Sequence, residues 1–184
     1  KKQLDFTKKR IFNAGLNDKV DIKFLDYRDL KGEYDSIASI EMIEAVGEKY
    51  LNKYFSTIKD NLKPGGVGAI QAIIIKDELF DRYRKNEDFI QKYIFPGGFL
   101  PSLNSIKSHC KESGLELTDY NSYGSHYSNT LKEWRSNFAR SWNDISKQGF
   151  DLSFKKIWDF YFSYCEAGFK SKNIDLIQFS LSNK

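Results

Sequence analysis

The residues of this chain that could do chemistry lie directly after predicted strands. Two carboxylates, Glu41 and Glu44, stand three positions apart behind a short apolar segment, so a helical turn there would place them on one face. Such a pair can hold a ligand or move a proton. The alternative is capping, because a carboxylate at the start of a helix is stabilised by the helix dipole. The spacing alone leaves both interpretations open.

Two other positions offer a similar choice. Tyr27 could stack its ring on a flat ligand while Asp26 accepts hydrogen bonds from exocyclic amines, or both could lie in a solvated turn. Gln71 is the only polar residue in the apolar run 67–75. Its amide needs partners, which are either neighbouring backbone groups or a site beside Glu44.

The C-terminal half contributes two more candidates. His126 and Tyr127 stand together after a predicted strand, where a solvated loop is the alternative. Cys165 lies in a predicted helix, where it could pack in the core or form one wall of an apolar tunnel. It shares a helix face with three aromatic residues: Tyr161, Phe162 and Phe169.

Composition excludes several classes of protein. With 40% hydrophobic residues, the 184-residue chain can bury a core and need not stay disordered. Two Cys and two His argue against a disulfide framework and against a metal site, and they suit a reducing, cytoplasmic location. The 29 Lys and Arg residues against 25 Asp and Glu give a net charge of +4, too small for a nucleic-acid-binding composition. No apolar run approaches the ~18 residues of a membrane-spanning helix.

Hydrophobic periodicity predicts one α/β domain over residues 1–184. Strands and helices joined by short polar segments are typical of a parallel sheet covered by helices on both sides. We predict strands at 20–25, 34–40, 67–75, 115–123 and 174–181, with 34–40 buried on both faces. We predict helices at 4–14, 48–62, 78–93, 103–113, 131–148 and 154–170. The glycines at 65–68 precede a strand, so they indicate a turn and not a phosphate-binding loop.

Four segments, in this order, resemble one known family. They read SIEMIEAVG at 39–47, YIFPGGFLPS at 93–102, GSHY at 124–127 and CEAGF at 165–169. Together they resemble the cyclopropane-fatty-acyl-phospholipid synthases, which include the mycolic acid cyclopropane synthases, over residues 3–180. The resemblance implies a Rossmann-like class I methyltransferase fold, with a helical insertion at about 77–113 over the substrate pocket and a helical pair at about 128–170. It implies transfer of the methyl carbon of S-adenosylmethionine to a cis double bond of a phospholipid acyl chain.

The resemblance also implies roles for individual residues. Glu44 and Tyr127 would hold a catalytic bicarbonate, and Ile40 would contribute a backbone contact. Gln71 stands where the well-studied bacterial enzymes have His, and Gln cannot titrate near neutral pH. The implied cofactor contacts are Gln3, Asp26, Tyr27 and Glu41. The implied acyl-pocket residues are Phe95, Cys165 and Phe169.

One departure concerns the family's cofactor site. A strand followed by a Gly-rich loop does not occur in these 184 residues. We therefore expect the chain to be the C-terminal portion of a longer enzyme, incomplete at its N-terminus and inactive alone. Two alternatives are a non-catalytic lipid-binding or regulatory module and methyl transfer to a non-lipid small molecule.

The expected partners are those of a lipid-modifying enzyme. They are unsaturated phospholipid acyl chains and a membrane surface bound peripherally, with no nucleic acid. A net charge of +4 is compatible with an anionic membrane surface, and a homodimer is compatible with the sequence.

Overall fold

The computed structural model describes residues 1–184 as one four-stranded sheet with helices on both faces. The strands are β1 (Tyr34–Ile40), β2 (Leu62–Ile75), β3 (Leu115–Ser122) and β4 (Ile174–Asn183), in the order β1-β2-β4-β3. The helices are α1 (Lys2–Asn13), α2 (Leu51–Asn61), α3 (Asp77–Tyr83), α4 (Phe89–Tyr93), α5 (Leu103–Glu112), α6 (Gly124–Arg140), α7 (Trp142–Ser146) and α8 (Leu152–Lys170). No helix is both long enough and apolar enough to span a membrane.

The predicted parallel sheet is only partly correct. β1 and β2 are parallel, but β4 runs antiparallel to both β2 and β3. The reason lies in the long helical segment between β3 and β4. Helices α6 and α8 pack together and return the chain to the end of the sheet that it left, where the backbone N–H of Gly124 donates to the Asp175 carboxylate at 2.8 Å. β4 must therefore run back along β2.

Residues 20–25 do not form the predicted strand. A strand is stabilised by a ladder of hydrogen bonds to a neighbour, and β1 pairs with β2 alone. Phe24 is consequently 76% exposed, and helix α1 before it has no buried residue. The prediction that residues 34–40 are buried on both faces was also wrong, since no residue of β1 is buried.

Three element boundaries differ from the predictions. The predicted helix 78–93 is two helices, α3 and α4. The predicted helix 131–148 begins seven residues earlier at Gly124 and breaks at Ser141 before α7, which places the 124–127 segment in a helix. The glycine segment belongs to an irregular start of β2, where the register with β1 shifts and Gly65 has φ +76°.

The larger core lies between the sheet and helices α2 and α5. Alternate residues of β2 point into it, including Ile70, Ala72 and Ile74. Phe55 of α2 and Ile106 of α5 are fully buried against them. The opposite face of β2 carries Gln71 and Ile73, and a smaller apolar cluster there joins the sheet to α6 and α8. Gln71 therefore lies on the face that is not filled by the main core.

Candidate functional site

Both carboxylates are positioned by the end of β1. Glu41 directly follows the strand, and its backbone N–H donates to the carbonyl oxygen of Gln71 at 2.9 Å. Glu44 lies on a 3-10 turn at Ile43–Ala45, and its Oε1 accepts a hydrogen bond from the backbone N–H of Ile73 at 2.5 Å. Each carboxylate is thus fixed to the neighbouring strand β2, at the carboxyl ends of the two parallel strands, where α/β sheets bind ligands.

Glu44 is a largely buried carboxylate with unused bonding capacity. Burial raises its pKa above the ordinary value of 4.5, the hydrogen bond from Ile73 opposes this shift, and the nearby charge of Glu41 adds to it. Its Oε2 atom is buried and has no hydrogen-bond partner. A buried polar atom without a partner is costly, so this oxygen is suited to accept a hydrogen bond from a ligand.

Gln71 is held by a chain of side-chain hydrogen bonds across the sheet. Its Nε2 donates to Glu41 Oε1 at 2.8 Å, and its Oε1 accepts from Gln178 Nε2 at 2.7 Å. Because a carboxylate can only accept and Gln178 donates, the orientation of the Gln71 amide is determined. The amide of Gln71 thus bonds to side chains and not to the neighbouring backbone, and its role in a site beside Glu44 stays a prediction.

An aromatic wall faces these polar groups, formed by Phe95, Tyr127, Tyr161 and Phe169. The ring centroids of Tyr127 and Phe169 are 4.9 Å apart, and those of Phe95 and Tyr161 are 6.2 Å apart. Burial, with a contribution from the Glu41 charge, raises the pKa of the Tyr127 hydroxyl and raises that of Tyr161 to about 12. Both tyrosines therefore keep their protons and act as hydrogen-bond donors at neutral pH.

Cys165 belongs to the same wall on α8. Burial raises the pKa of its thiol to about 12, so the group stays protonated and behaves as a small apolar side chain. It packs against the smaller apolar cluster together with Tyr127 and Tyr161. Both interpretations of Cys165, as a core residue and as part of a pocket wall, therefore agree with its surroundings.

The site carries negative charge without a positive partner. Neither Glu41 nor Glu44 takes part in an ion pair anywhere in the structure. The aromatic wall adds the negative faces of its rings. Carboxylates and ring faces together attract a cation, and they disfavour an additional anion.

The predicted cofactor residues lie in three places. Tyr27 is half-buried, with its ring edge-on to Tyr54 at 6.0 Å. Asp26 accepts three hydrogen bonds from Arg28, which lower its pKa to about 2 and leave its Oδ2 able to accept one more. Gln3 is exposed on α1, away from any buried residue of that helix. Only Glu41 of this set lies among the site residues described above.

Sequence reasoning missed three residues of the site. One is Ile73, whose backbone N–H donates to Glu44 Oε1. The backbone contact implied for Ile40 stays a prediction. Ile73 follows Gln71 by two residues and so shares its face of the strand, which is a signal that the sequence contains. Gln178 carried no such signal, because its position depends on the pairing of β2 with β4. Tyr161 was noted only as a neighbour of Cys165.

A polar groove lies elsewhere on the molecule. It has a volume of about 590 Å³ and lies between the start of α2, α3 and α5. Phe80 is its only hydrophobic lining residue among twelve. A groove so polar does not suit an acyl chain.

Comparisons with known proteins agree with this architecture. The family model for mycolic acid cyclopropane synthetase matches residues 1–179. Tuberculostearic acid methyltransferase UfaA1 of Mycobacterium tuberculosis (strain ATCC 25618 / H37Rv) is 40% identical over 97% of this chain and 42% of its own length. The cyclopropane-fatty-acyl-phospholipid synthase of Escherichia coli (strain K12) is 34% identical over 86% of this chain and 40% of its own length. The chain thus spans well under half the length of these curated relatives.

Solved structures support the fold. Mycolic acid cyclopropane synthase CmaA1, complexed with SAH and CTAB, superposes with a TM-score of 0.87 at 24% identity, over 99% of this chain and 67% of that one. The cyclopropane synthase MmaA2 from Mycobacterium tuberculosis gives 0.83 at 23% identity, over 99% and 67%. These likenesses identify the class I methyltransferase fold. The chain belongs to the mycolic acid cyclopropane synthetase family.

Proposed function

We propose that this chain supplies the lipid side of a site that transfers the methyl carbon of S-adenosylmethionine to a cis double bond of an unsaturated phospholipid acyl chain. The single observation that carries the proposal is the pair of carboxylates, Glu41 and Glu44, without a cationic partner beside an aromatic wall. Family membership and the names of the relatives support the same chemistry.

The site suits this reaction because the species involved are cations. When bound, S-adenosylmethionine supplies an electrophilic methyl group on a positively charged sulfur. An alkene that takes up this methyl becomes a carbocation, which water would trap. Carboxylates stabilise such charge, and the rings of Tyr127, Tyr161 and Phe169 cover one side of the site, while Glu41 itself is exposed.

The residues fit the cofactor in two respects. The carboxylate of Glu41 has no cationic partner and is available to stabilise a sulfonium, and Asp26 Oδ2 retains a lone pair for an exocyclic amine. We propose Tyr27, Asp26 and Glu41 as cofactor contacts, with Gln3 as a further contact. Phe95, Cys165 and Phe169 are proposed to line the acyl chain.

Bicarbonate, the second cofactor implied by the resemblance, fits less well. The unpartnered Oε2 of Glu44 could accept a hydrogen bond from its hydroxyl, and Tyr127 could donate one. However, Glu41 already places a carboxylate beside Tyr127 and uses one N–H of Gln71, and no cation is present to balance a third negative charge. We therefore assign no step to bicarbonate.

The partners follow from the proposed substrate. An enzyme acting on phospholipid acyl chains must approach a membrane surface, and a net charge of +4 favours an anionic one. We therefore propose peripheral membrane association at the cytoplasmic face. The homodimer remains a prediction from the sequence alone.

The test is transfer of labelled methyl groups to lipid vesicles. The chain is assayed alone and as a chimera in which residues 1–179 replace the matched segment of UfaA1. Methyl-labelled S-adenosylmethionine and vesicles of unsaturated phospholipid should give labelled lipid with the chimera, and vesicles of saturated phospholipid with the same headgroup should give none. A folded chimera that labels neither lipid would contradict the proposal.

A further inference from the structure

Glu41 occupies a backbone conformation that its residue type disfavours. Its φ is +49°, in the left-handed region that favours glycine. Strained non-glycine residues of this kind persist only where the surroundings fix them, and they cluster at functional sites. Here two hydrogen bonds to Gln71 fix the residue, one from the Glu41 backbone N–H at 2.9 Å and one to its Oε1 at 2.8 Å.

Apart from the Glu44 carboxylate, the groups around the Glu41 carboxylate are hydrogen-bond donors or uncharged. The Gln71 amide donates from β2, and the Tyr127 and Tyr161 hydroxyls face it from α6 and α8. The Glu44 carboxylate approaches from the adjoining 3-10 turn, and the Cys165 thiol lies beside Tyr161. No Lys, Arg or His pairs with Glu41.

We propose that Glu41 is a resident proton acceptor that takes the place of a bound bicarbonate at this site. The proposal rests on the proposed function for its chemistry. Gln71 donates to Glu41 but cannot titrate, so the carboxylate beside it is the group of this pair that can accept a proton. Bicarbonate would need the same surroundings, but Glu41 Oε1 already accepts from Gln71 Nε2, and the Glu41 charge lies close enough to Tyr127 to raise the pKa of its hydroxyl.

The proton-transfer step balances without an external base. The carbocation loses a proton from a C–H bond of the methyl group that was added to the neighbouring carbon. The electron pair of that bond forms a new bond between the methyl carbon and the cationic carbon, which closes a three-membered ring and neutralises the cation. The proton goes to a carboxylate oxygen of Glu41, which becomes a neutral acid and later releases the proton to water.

The test measures bicarbonate binding by the 184-residue chain, without methyl donor, from the carbon-13 NMR signal of labelled bicarbonate. The unchanged chain should show no saturable binding at millimolar bicarbonate. Glu41→Gly, which suits the positive φ and vacates the carboxylate position, should bind bicarbonate about tenfold or more tightly. Glu41→Asp keeps a carboxylate and should exclude the anion as the unchanged chain does.

Two further variants keep the test decisive. Glu41→Asn tolerates the left-handed backbone and serves if the glycine variant fails to fold. Glu87→Gly removes one exposed carboxylate that makes no ion pair, and it should not create bicarbonate binding. Equal binding by the unchanged chain and Glu41→Gly, or no binding by either glycine or asparagine variant, would overturn the assignment.

A failure of this inference is distinct from a failure of the proposed function. The binding measurement contains neither S-adenosylmethionine nor lipid, so its outcome does not depend on methyl transfer. In the methyl-transfer assay, the chimera should keep its activity in bicarbonate-free buffer, and Glu41→Gly should need added bicarbonate. Loss of activity on bicarbonate removal in both forms would again contradict the resident base.

Discussion

The two faces of the sheet bury different kinds of side chain. The face toward α2 and α5 packs a cluster of 15 buried residues, nearly all aliphatic or aromatic. The face toward α6 and α8 has only four buried apolar residues and carries Gln71, with both carboxylates at its edge. Buried polar atoms without a hydrogen-bond partner occur on both sides, at Thr57 Oγ1 and Asn61 Oδ1 of α2 and at Glu44 Oε2, but only the last belongs to a carboxylate.

This difference indicates that one face of the sheet mainly stabilises the fold and the other mainly serves the reaction. Close packing on the first face provides most of the apolar burial that stabilises the sheet. The second face keeps charge and hydrogen-bonding capacity that packing does not use, as expected of a site that receives a ligand. Changes on the first face should therefore alter the free energy of unfolding, and changes on the second should alter turnover.

The largest expected effect is on the first face. Phe55 is fully buried, and Phe55→Ala should lower the free energy of unfolding by about 3–5 kcal/mol through lost burial and a cavity. Urea unfolding measures it. Phe24→Ala is the control, since Phe24 is 76% exposed and its replacement should change the free energy by less than about 0.5 kcal/mol. If the two variants lost the same free energy of unfolding, the first face would not be the one that stabilises the fold.

On the second face, Glu44→Gln should act on turnover. In the chimera it should lower kcat about 100-fold or more, because an amide cannot supply the carboxylate charge that stabilises a cation. The free energy of unfolding should fall little, since the amide oxygen can still accept from Ile73. Methyl transfer and urea unfolding on the same samples separate the two quantities. Unchanged turnover would remove Glu44 from the mechanism.

A smaller effect concerns the pH dependence of stability. Because burial raises the pKa of Glu44 above 4.5 in the folded state, the folded chain binds this proton more tightly than the unfolded chain. The stability that comes from binding this proton is fully present below the ordinary pKa of 4.5, and it is lost as the pH rises through the higher pKa of the folded state. Comparing urea midpoints between pH 4 and 8, Glu44→Gln should lose less stability than the unchanged chain over this rise. Parallel curves would contradict the raised pKa.

The smallest effect compares the two non-glycine residues with positive φ. Lys172, at φ +57°, lies two residues after the end of α8, and its backbone N–H donates to the carbonyl oxygen of Phe169 at 3.1 Å. Glycine relieves strain at such a position, so Lys172→Gly should stabilise the chain by about 0.5–1 kcal/mol without changing turnover. Glu41→Gly relieves similar strain but should change the bicarbonate requirement. Differential scanning calorimetry measures the stability of the two variants, and the methyl-transfer assay measures their turnover with and without bicarbonate.

Most elements could be predicted because their signals are local. The strand at 67–75 and the helices ending at Gly114 and near Lys170 follow from periodicity and capping. The strand at 20–25 failed because alternation predicts a strand only where a neighbour exists to pair with it. The direction of β4 also could not be predicted, since it depends on the path of α6 and α8.

The site was partly predictable for the same reason. Glu41, Glu44 and Gln71 were identified because they follow or interrupt strands. The bonds that join them, from Gln178 to Gln71 and on to Glu41, depend on strand pairing across 107 positions of sequence. The strained φ of Glu41 leaves no trace in the residue type, because a sequence would normally mark that conformation with glycine.

The most direct test asks whether the site beside the aromatic wall binds a cation more tightly than an anion. Binding of dodecyltrimethylammonium and of dodecyl sulfate, each below its micelle concentration, can be compared by titration calorimetry on the 184-residue chain. We expect tighter binding of the ammonium, against the overall charge of +4, and loss of this preference in the Glu41→Gln, Glu44→Gln double variant. Tighter binding of the sulfate, or a preference unchanged by the double variant, would contradict the account.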